Sequence, residues 1–508
     1  MVDVLLSHSY HLYYDPKQVR KMQPYPPLGT LYAAALLRQH GFSVALFDTM
    51  LEDPERGFPA ALARHRPRIV AIYEDNFNFL SKMCLTRMRR VAYEMLSAAR
   101  AAGATVVLNG SDPSDHIEEY LRRGSDYVLL GEAEWTLLEL VQSLLRDSEK
   151  EPEHIPGVTF VRKMTGRLFR TPSRPLLRDL DTLPSPARDL IKWEAYREVW
   201  KSKHGFFSVN LVASRGCPYR CNWCARPIYG DSFHVRSAES VAEEMKELQE
   251  SAGVEHLWFA DDVFGLRHRW VSELADAVER RGVAIPFKVQ SRVNLITAEA
   301  ASALRRAGCT EVWMGVESGS QKILDAMEKG TRVEQIPSAR KHLRREGMRA
   351  CFFLQFGYPG ETWDDIQETI DLVRSSRPDD IGVSVSYPLP GTKFYESVRE
   401  ELGEKRNWVD SDDLTVMFKG AYTTEFYRAL RDALHAEVET WSPPGARTND
   451  LDEALATRQP EGSAAVADLW EKVLQMEKAC RNPEPTCTAL RESLHASAGD
   501  QRRPWTFC

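Results

Sequence analysis

The chain has 508 residues, 43% of them hydrophobic and 27% charged. That composition suits a soluble globular class of about two to four domains at roughly 100–200 residues each, and excludes collagen-like or disordered chains. Lys and Arg number 66 against 73 Asp and Glu, a formal net charge of -7, so no global basic field favours nucleic acid or an anionic membrane surface.

In chain order, Val4 to Leu6, Val44 to Phe47, Ile69 to Tyr73, Thr105 to Leu108 and Tyr127 to Leu130 read as buried strands. Helical periodicity runs from Leu28 to Gln39 and from Leu85 to Ala101, with Pro26 and Pro27 suited to a helix start and Gly41 and Gly103 to helix ends. Residues 1–147 therefore predict an α/β, Rossmann-like domain whose parallel sheet is covered on both faces. Such sheets bind ligands outside the carboxyl ends of their strands. Residues 148–206, richer in Pro and Arg, read as a linker with a short hairpin around Gly166.

From 207 to 398 the alternation resumes, with strands beginning near Val209, His256, Phe287, Glu311, Cys351 and Ile381. Six compact repeats predict a partial (β/α)6 barrel of TIM type, active at the carboxyl ends of its strands. Residues 399–508 are expected to be a helical region. Tyr422 to Trp441 and Ala465 to Ala479 are amphipathic, the second loosely attached, before a disordered end. No run approaches ~18 consecutive apolar residues, and no secretory leader is read at the start. The expected compartment is the cytoplasm. Nine cysteines, an odd number, point to catalysis or metal binding rather than an extracellular disulfide framework. Cys84, Cys309 and Cys351 read as small core residues, and Cys480, Cys487 and Cys508 fall in the polar tail.

The informative thiols follow the barrel's first strand, in Ser214-Arg-Gly-Cys217-Pro-Tyr-Arg-Cys221-Asn-Trp-Cys224. Thiolates select zinc or iron-sulfur centres. A structural zinc site closes its tetrahedron with four protein ligands, and only His234 offers itself as a fourth. Three thiolates on a four-iron cluster leave one iron open to a small molecule.

Cys217, Cys221 and Cys224, with Trp223 just before the third, resemble the cluster loop of radical S-adenosylmethionine enzymes. The resemblance implies a [4Fe-4S] cluster whose open iron chelates S-adenosylmethionine and splits it to a 5'-deoxyadenosyl radical. It also implies cosubstrate contacts: Ala260, Asp261 and Asp262 toward the amino group, Gln290 and Arg292 after the third strand, Glu317 and Ser318 near ribose and carboxylate, and Gly357 and Tyr358 near adenine.

The first domain is similar to the cobalamin-binding domain that precedes the radical module in one branch of that family. The similarity rests on Pro24 to Tyr32, including Pro27, Leu28 and Gly29, on the strand ending at Asp48, on Asn109 and Gly110, and on Gly131, Glu132 and Glu134. Asp-x-His-x-x-Gly, which supplies a lower histidine in many cobalamin domains, is absent, and His8 and His11 do not fit it. The expectation is base-off cobalamin, its lower face covered from the loop of Asp75, Asn76 and Phe77.

The branch implies a methyltransferase acting on an unreactive carbon of a small-molecule or peptide substrate. Two molecules of S-adenosylmethionine are consumed per turnover, and the electron comes from a donor such as flavodoxin or ferredoxin. The alternatives are a cyclase or rearrangement enzyme of the same architecture and, from another class, a non-catalytic corrinoid-binding protein.

Overall fold

The computed structural model describes residues 1–147, 151–226, 228–283, 285–441 and 464–481. Val4 and Leu6 enter one apolar core and Leu5 the opposite one, the two-residue alternation that buries both faces of a strand. The same alternation forms β1 (Val4–Ser7), β2 (Val44–Phe47), β3 (Ile69–Tyr73), β4 (Thr105–Asn109) and β5 (Tyr127–Leu129), all parallel. Helices Leu28–Gln39 and Glu134–Arg146 cover one face; Pro54–His65, Thr86–Ala101 and Ile117–Arg122 cover the other. The spatial order β2-β1-β3-β4-β5 reverses at β1, so the loops after β1 and β3 flank the crevice where such sheets take ligands.

The hairpin expected around Gly166 is present, and its two strands belong to the first sheet rather than to a separate linker. β6 (Val158–Val161) and β7 (Leu168–Arg170) add antiparallel to the edge at β5. Val158 and Phe160 enter the core under Glu134–Arg146. The rest of the supposed linker ties the two halves together. Arg188 donates to Glu244 and to the Asn210 carbonyl, and from helix Trp193–His204 the Tyr196 hydroxyl donates to Asp48 at 2.7 Å.

The second half contains β8 (Ser208–Leu211), a small ladder of β9 (Ser214–Arg215) with β10 (His234–Val235), then β11 (His256–Phe259), β12 (Phe287–Ser291), β13 (Cys309–Glu317), β14 (Arg349–Phe356) and β15 (Asp380–Val385). Six of these form a parallel sheet in the order β15-β14-β13-β12-β11-β8. Sequential neighbours with no pairing between β8 and β15 among the described residues make an open barrel. Residues 24–26 of the first half enter against it. Trp200 Nε1 donates to the Pro24 carbonyl at 2.7 Å, Asn210 Nδ2 to that of Pro26 at 2.9 Å, and the Tyr25 ring lies 4.7 Å from that of Trp258.

Helix Thr424–Trp441 packs on β15, and helix Ala464–Arg481 packs on it in turn. The second helix is firmly docked rather than loosely attached: Val473 is fully buried and Trp470 Nε1 donates to Glu437 at 2.7 Å. Cys84, Cys309 and Cys351 are buried, and Cys480 is exposed on the last helix. Cys487, Cys508 and the expected disordered end lie outside the described residues. Among the described residues, no helix is long and apolar enough to cross a membrane.

Candidate radical and corrinoid site

The ladder of β9 with β10 closes the base of the loop that carries the three thiols, pairing Arg215 with His234 and Ser214 with Val235. Gly216 makes the turn possible. Its φ is +81°, and a Cβ there would sit 2.1 Å from the Ser232 carbonyl oxygen, so no L side chain fits. Arg226 donates to the carbonyls of Cys217 and Tyr219. Asn222 is bound at 3.0 Å from its N–H to the Met327 carbonyl and at 2.9 Å from the Tyr358 hydroxyl to its Oδ1. The loop is thus shaped by hydrogen bonds other than those of its sulfurs.

Cys221 is buried, and Cys217 and Cys224 are half-buried. Burial, then Asp262 and the other two thiols, pushes Cys224 up to about 12, and burial also raises Cys217. Thiols held up in this way stay protonated on their own, and a metal that binds them as thiolates would displace those protons. Among the described residues, no three His, Cys, Asp or Glu side chains converge as around a single ion, where tetrahedral sulfurs at ~2.3 Å would lie about 3.8 Å apart. His234 serves the loop's base instead. The donor set, three thiols on one pinned loop, fits a cluster that takes one thiolate per iron and keeps an open iron.

The residues expected to face S-adenosylmethionine all reach the same rim, but not all are available. Asp261 is the main correction: Ser214 Oγ donates to its Oδ1 and the Ala213 N–H to its Oδ2 at 3.1 Å. It therefore braces the start of the cluster loop, and burial pushes it up to about 7. Ala260 is buried in the seam between the halves. Asp262 is exposed at the rim, and its side chain pairs with Lys82 of the first half. The Gln290 carbonyl accepts from Phe264 N–H at 2.8 Å. Arg292 stacks 3.7 Å over Tyr219 and donates to Cys221 Sγ at 3.5 Å. Glu317 pairs at 2.7 Å with Lys329, both buried, and Ser318 bonds Thr369. Trp223 Nε1 is buried without a partner among the described residues. Tyr358 anchors Asn222, as described above.

Glu361, unremarked in the sequence, accepts the Gly357 N–H at 2.6 Å, and burial pushes it up to about 8. A carboxyl raised on folding stabilises the fold fully below its unfolded value, and this contribution is lost as pH rises through its folded value. Glu361→Gln keeps an acceptor for Gly357 and removes the titration. It will be more stable than wild type at pH 8, with a smaller decline in denaturant-unfolding free energy between pH 5 and pH 8; parallel pH curves would contradict this.

In the first half, Pro27 caps the helix that Leu28 opens. Gly29 donates its N–H to Asp75 at 2.9 Å and lies so close to the loop after β3 that a Cβ would meet Asn76 N at 3.1 Å. Asn76 Nδ2 donates to Asn109 Oδ1 at 2.9 Å, and Asn109 Nδ2 donates to the Gly131 carbonyl at 3.2 Å. This amide chain spans the ends of β3, β4 and β5 beside Gly110. Among the described residues, Asn76 Oδ1, Ser81 Oγ and Ser111 Oγ are buried without partners. Unfilled acceptors and hydroxyls at strand ends fit the carboxamide rim of a corrinoid. His8 is tied to Asp48 at 2.9 Å and His11 to the Thr49 carbonyl at 2.7 Å.

Phe77 and Glu132 are drawn elsewhere. Phe77 stacks on Tyr229 at 5.3 Å. Glu132 and Glu134 both pair with Arg215, the latter at 2.9 Å, and Glu132 also accepts the Leu177 N–H at 2.6 Å. Arg215 lies 5.3 Å from the rings of Tyr32, Phe77 and Tyr229. This buried triad joins the β5 loop to the residue two before Cys217. No spacing in the chain announced it.

A profile described as the radical SAM superfamily matches residues 211–373, and one described as the B12 binding domain matches residues 22–141. An uncharacterized methyltransferase of Pyrococcus horikoshii is 28% identical over 393 residues, 75% of this chain and 81% of that protein. The anaerobic magnesium-protoporphyrin IX monomethyl ester cyclase of Rubrivivax gelatinosus is 23% identical over 389 residues, 75% of this chain and 67% of the cyclase. Among solved structures, the radical S-adenosylmethionine methyltransferase TsrM of Kitasatospora setae, with cobalamin and a [4Fe-4S] cluster bound, shares the fold. Its TM-score is 0.64 at 20% identity, over 79% of this chain and 75% of that one.

Proposed function

We propose, from the premise that this chain is a cobalamin-dependent radical S-adenosylmethionine enzyme of the methyltransferase-like branch, that it methylates an unactivated carbon of a small-molecule or peptide substrate held between its two halves. When bound, the [4Fe-4S] cluster, S-adenosylmethionine and cobalamin supply a one-electron reductant, a hydrogen-abstracting radical and a transferable methyl group. The chain's own residues hold, orient and shield. Cys217, Cys221 and Cys224 would ligate the cluster. Asp262 would take the cosubstrate's amino group, with Trp223, Gln290, Arg292, Glu317, Ser318, Gly357 and Tyr358 around it. Gly29, Asp75, Asn76, Asn109, Gly110 and Gly131 would line the corrinoid edge. Leu28, Phe77, Val212, Ile228 and Tyr229 form one apolar cluster from both halves, which excludes water between the two mouths.

The observation that carries this reading is the ion pair of Lys82 with Asp262. Lys82 lies five residues beyond the proposed corrinoid loop and Asp262 at the barrel's rim, and this contact supports transfer of a group between the two mouths. An electron donor of the flavodoxin or ferredoxin class would reduce the cluster. The test is anaerobic turnover of the reconstituted protein with a low-potential reductant and candidate substrates. Methylation predicts S-adenosylhomocysteine and 5'-deoxyadenosine in equal amounts. The similarity to the Rubrivivax cyclase favours a second reading, which predicts 5'-deoxyadenosine without S-adenosylhomocysteine. If S-adenosylmethionine is not consumed, both readings fail.

A further inference from the structure

We propose that Lys82 is an internal competitor for the cosubstrate site: its ammonium occupies Asp262 until the α-ammonium of S-adenosylmethionine displaces it, so the corrinoid-binding half sets the affinity of the barrel for its cosubstrate. The inference rests on the reading of Asp262 given above. Lys82 ends the short helix Phe79–Lys82, which Asn78 caps by accepting the Leu80 N–H at 3.0 Å. The helix follows the loop of Asp75, Asn76 and Phe77 directly, so anything that moves that loop moves the lysine.

The Lys82–Asp262 pair bridges the halves beside the thiols. The charge of Asp262 raises both Cys217 and Cys224, and that of Lys82 works to lower Cys224 and Asp75. The lysine and aspartate side chains remain 18% and 24% exposed, so water can follow either ion when they part. An ion pair in that setting is weak enough to exchange. Asp261 is a poor substitute, because it is buried and its carboxylate already accepts from residues 213 and 214. One accessible carboxylate therefore serves two cations, one from the chain and one from the ligand.

Anaerobic titration of the cluster-loaded protein tests the exchange without turnover. Lys82→Met should bind S-adenosylmethionine about two- to five-fold more tightly than wild type, the range a partly exposed ion pair allows. Lys82→Arg, which restores the charge, should return to wild type and serves as a folding control. S-adenosylhomocysteine, which has the ammonium but no sulfonium, should gain by the same factor, and methylthioadenosine, which has neither charge, should not gain.

Unchanged or weaker binding by Lys82→Met would overturn the exchange. So would a gain confined to S-adenosylmethionine, because it would reflect only the field of one positive charge on a sulfonium. Failure of cluster-loaded wild type to bind S-adenosylmethionine at all would instead remove the functional reading, and the exchange with it.

Discussion

Alanine at any one of Cys217, Cys221 or Cys224 will leave the protein folded and unable to cleave S-adenosylmethionine reductively. The loop's shape is held by Gly216, the β9–β10 ladder, Arg226 and Asn222, so removing a sulfur leaves the backbone in place. The metal site suffers directly. Even outer-shell partners of a metal site are worth about 10–100-fold, and a lost ligand should cost more. Iron content, the visible thiolate-to-iron absorption and 5'-deoxyadenosine formation should fall together, while thermal unfolding of the metal-free protein stays near that of wild type. A variant that retained both iron and cleavage would show that its sulfur is no ligand.

Arg215→Met should destabilise the protein by about 3–5 kcal/mol, the usual penalty for stranding a buried charge. The guanidinium and both carboxylates are at most 8% exposed, and methionine would leave Glu132 and Glu134 facing each other without a cation. Glu132→Gln with Glu134→Gln in the Arg215→Met background should recover most of the loss, because neutral amides remove the repulsion. Denaturant unfolding reads both. A loss below about 1 kcal/mol, or no recovery in the triple variant, would mean that the triad does not join the halves. Because Arg215 lies two residues before Cys217, the single variant should also incorporate less iron than a destabilised variant altered far from the seam.

Both sheets were legible in the sequence because strands buried on two faces appear as short apolar runs: His256 to Phe259 and Ile69 to Tyr73 lie where their runs predicted. The thiol triplet was legible because its three cysteines lie within eight residues. The hairpin of β6 and β7 was legible from the turn at Gly166, but its place on the edge of the first sheet was not, since Leu168 and Val161 are exposed and blur the alternating pattern.

Of the neighbouring acids, Asp261 and Asp262 look equivalent in the sequence. Only the turn of β11's end decides that one braces residues 213–214 and the other faces the opposite domain. Lys82 with Asp262 and Arg215 with Glu132 are separated by 180 and 83 residues. Such pairs depend on how two independently patterned domains dock, and neither domain's periodicity encodes that.

The most direct test of the central claim, a cluster with one iron left for a ligand, is the electron spin resonance spectrum of the reduced wild-type protein before and after S-adenosylmethionine is added. Chelation at an open iron predicts a changed set of g-values, with hyperfine coupling to the labelled amino nitrogen and carboxylate of the added molecule. An unchanged spectrum from a fully loaded, reduced cluster would contradict it.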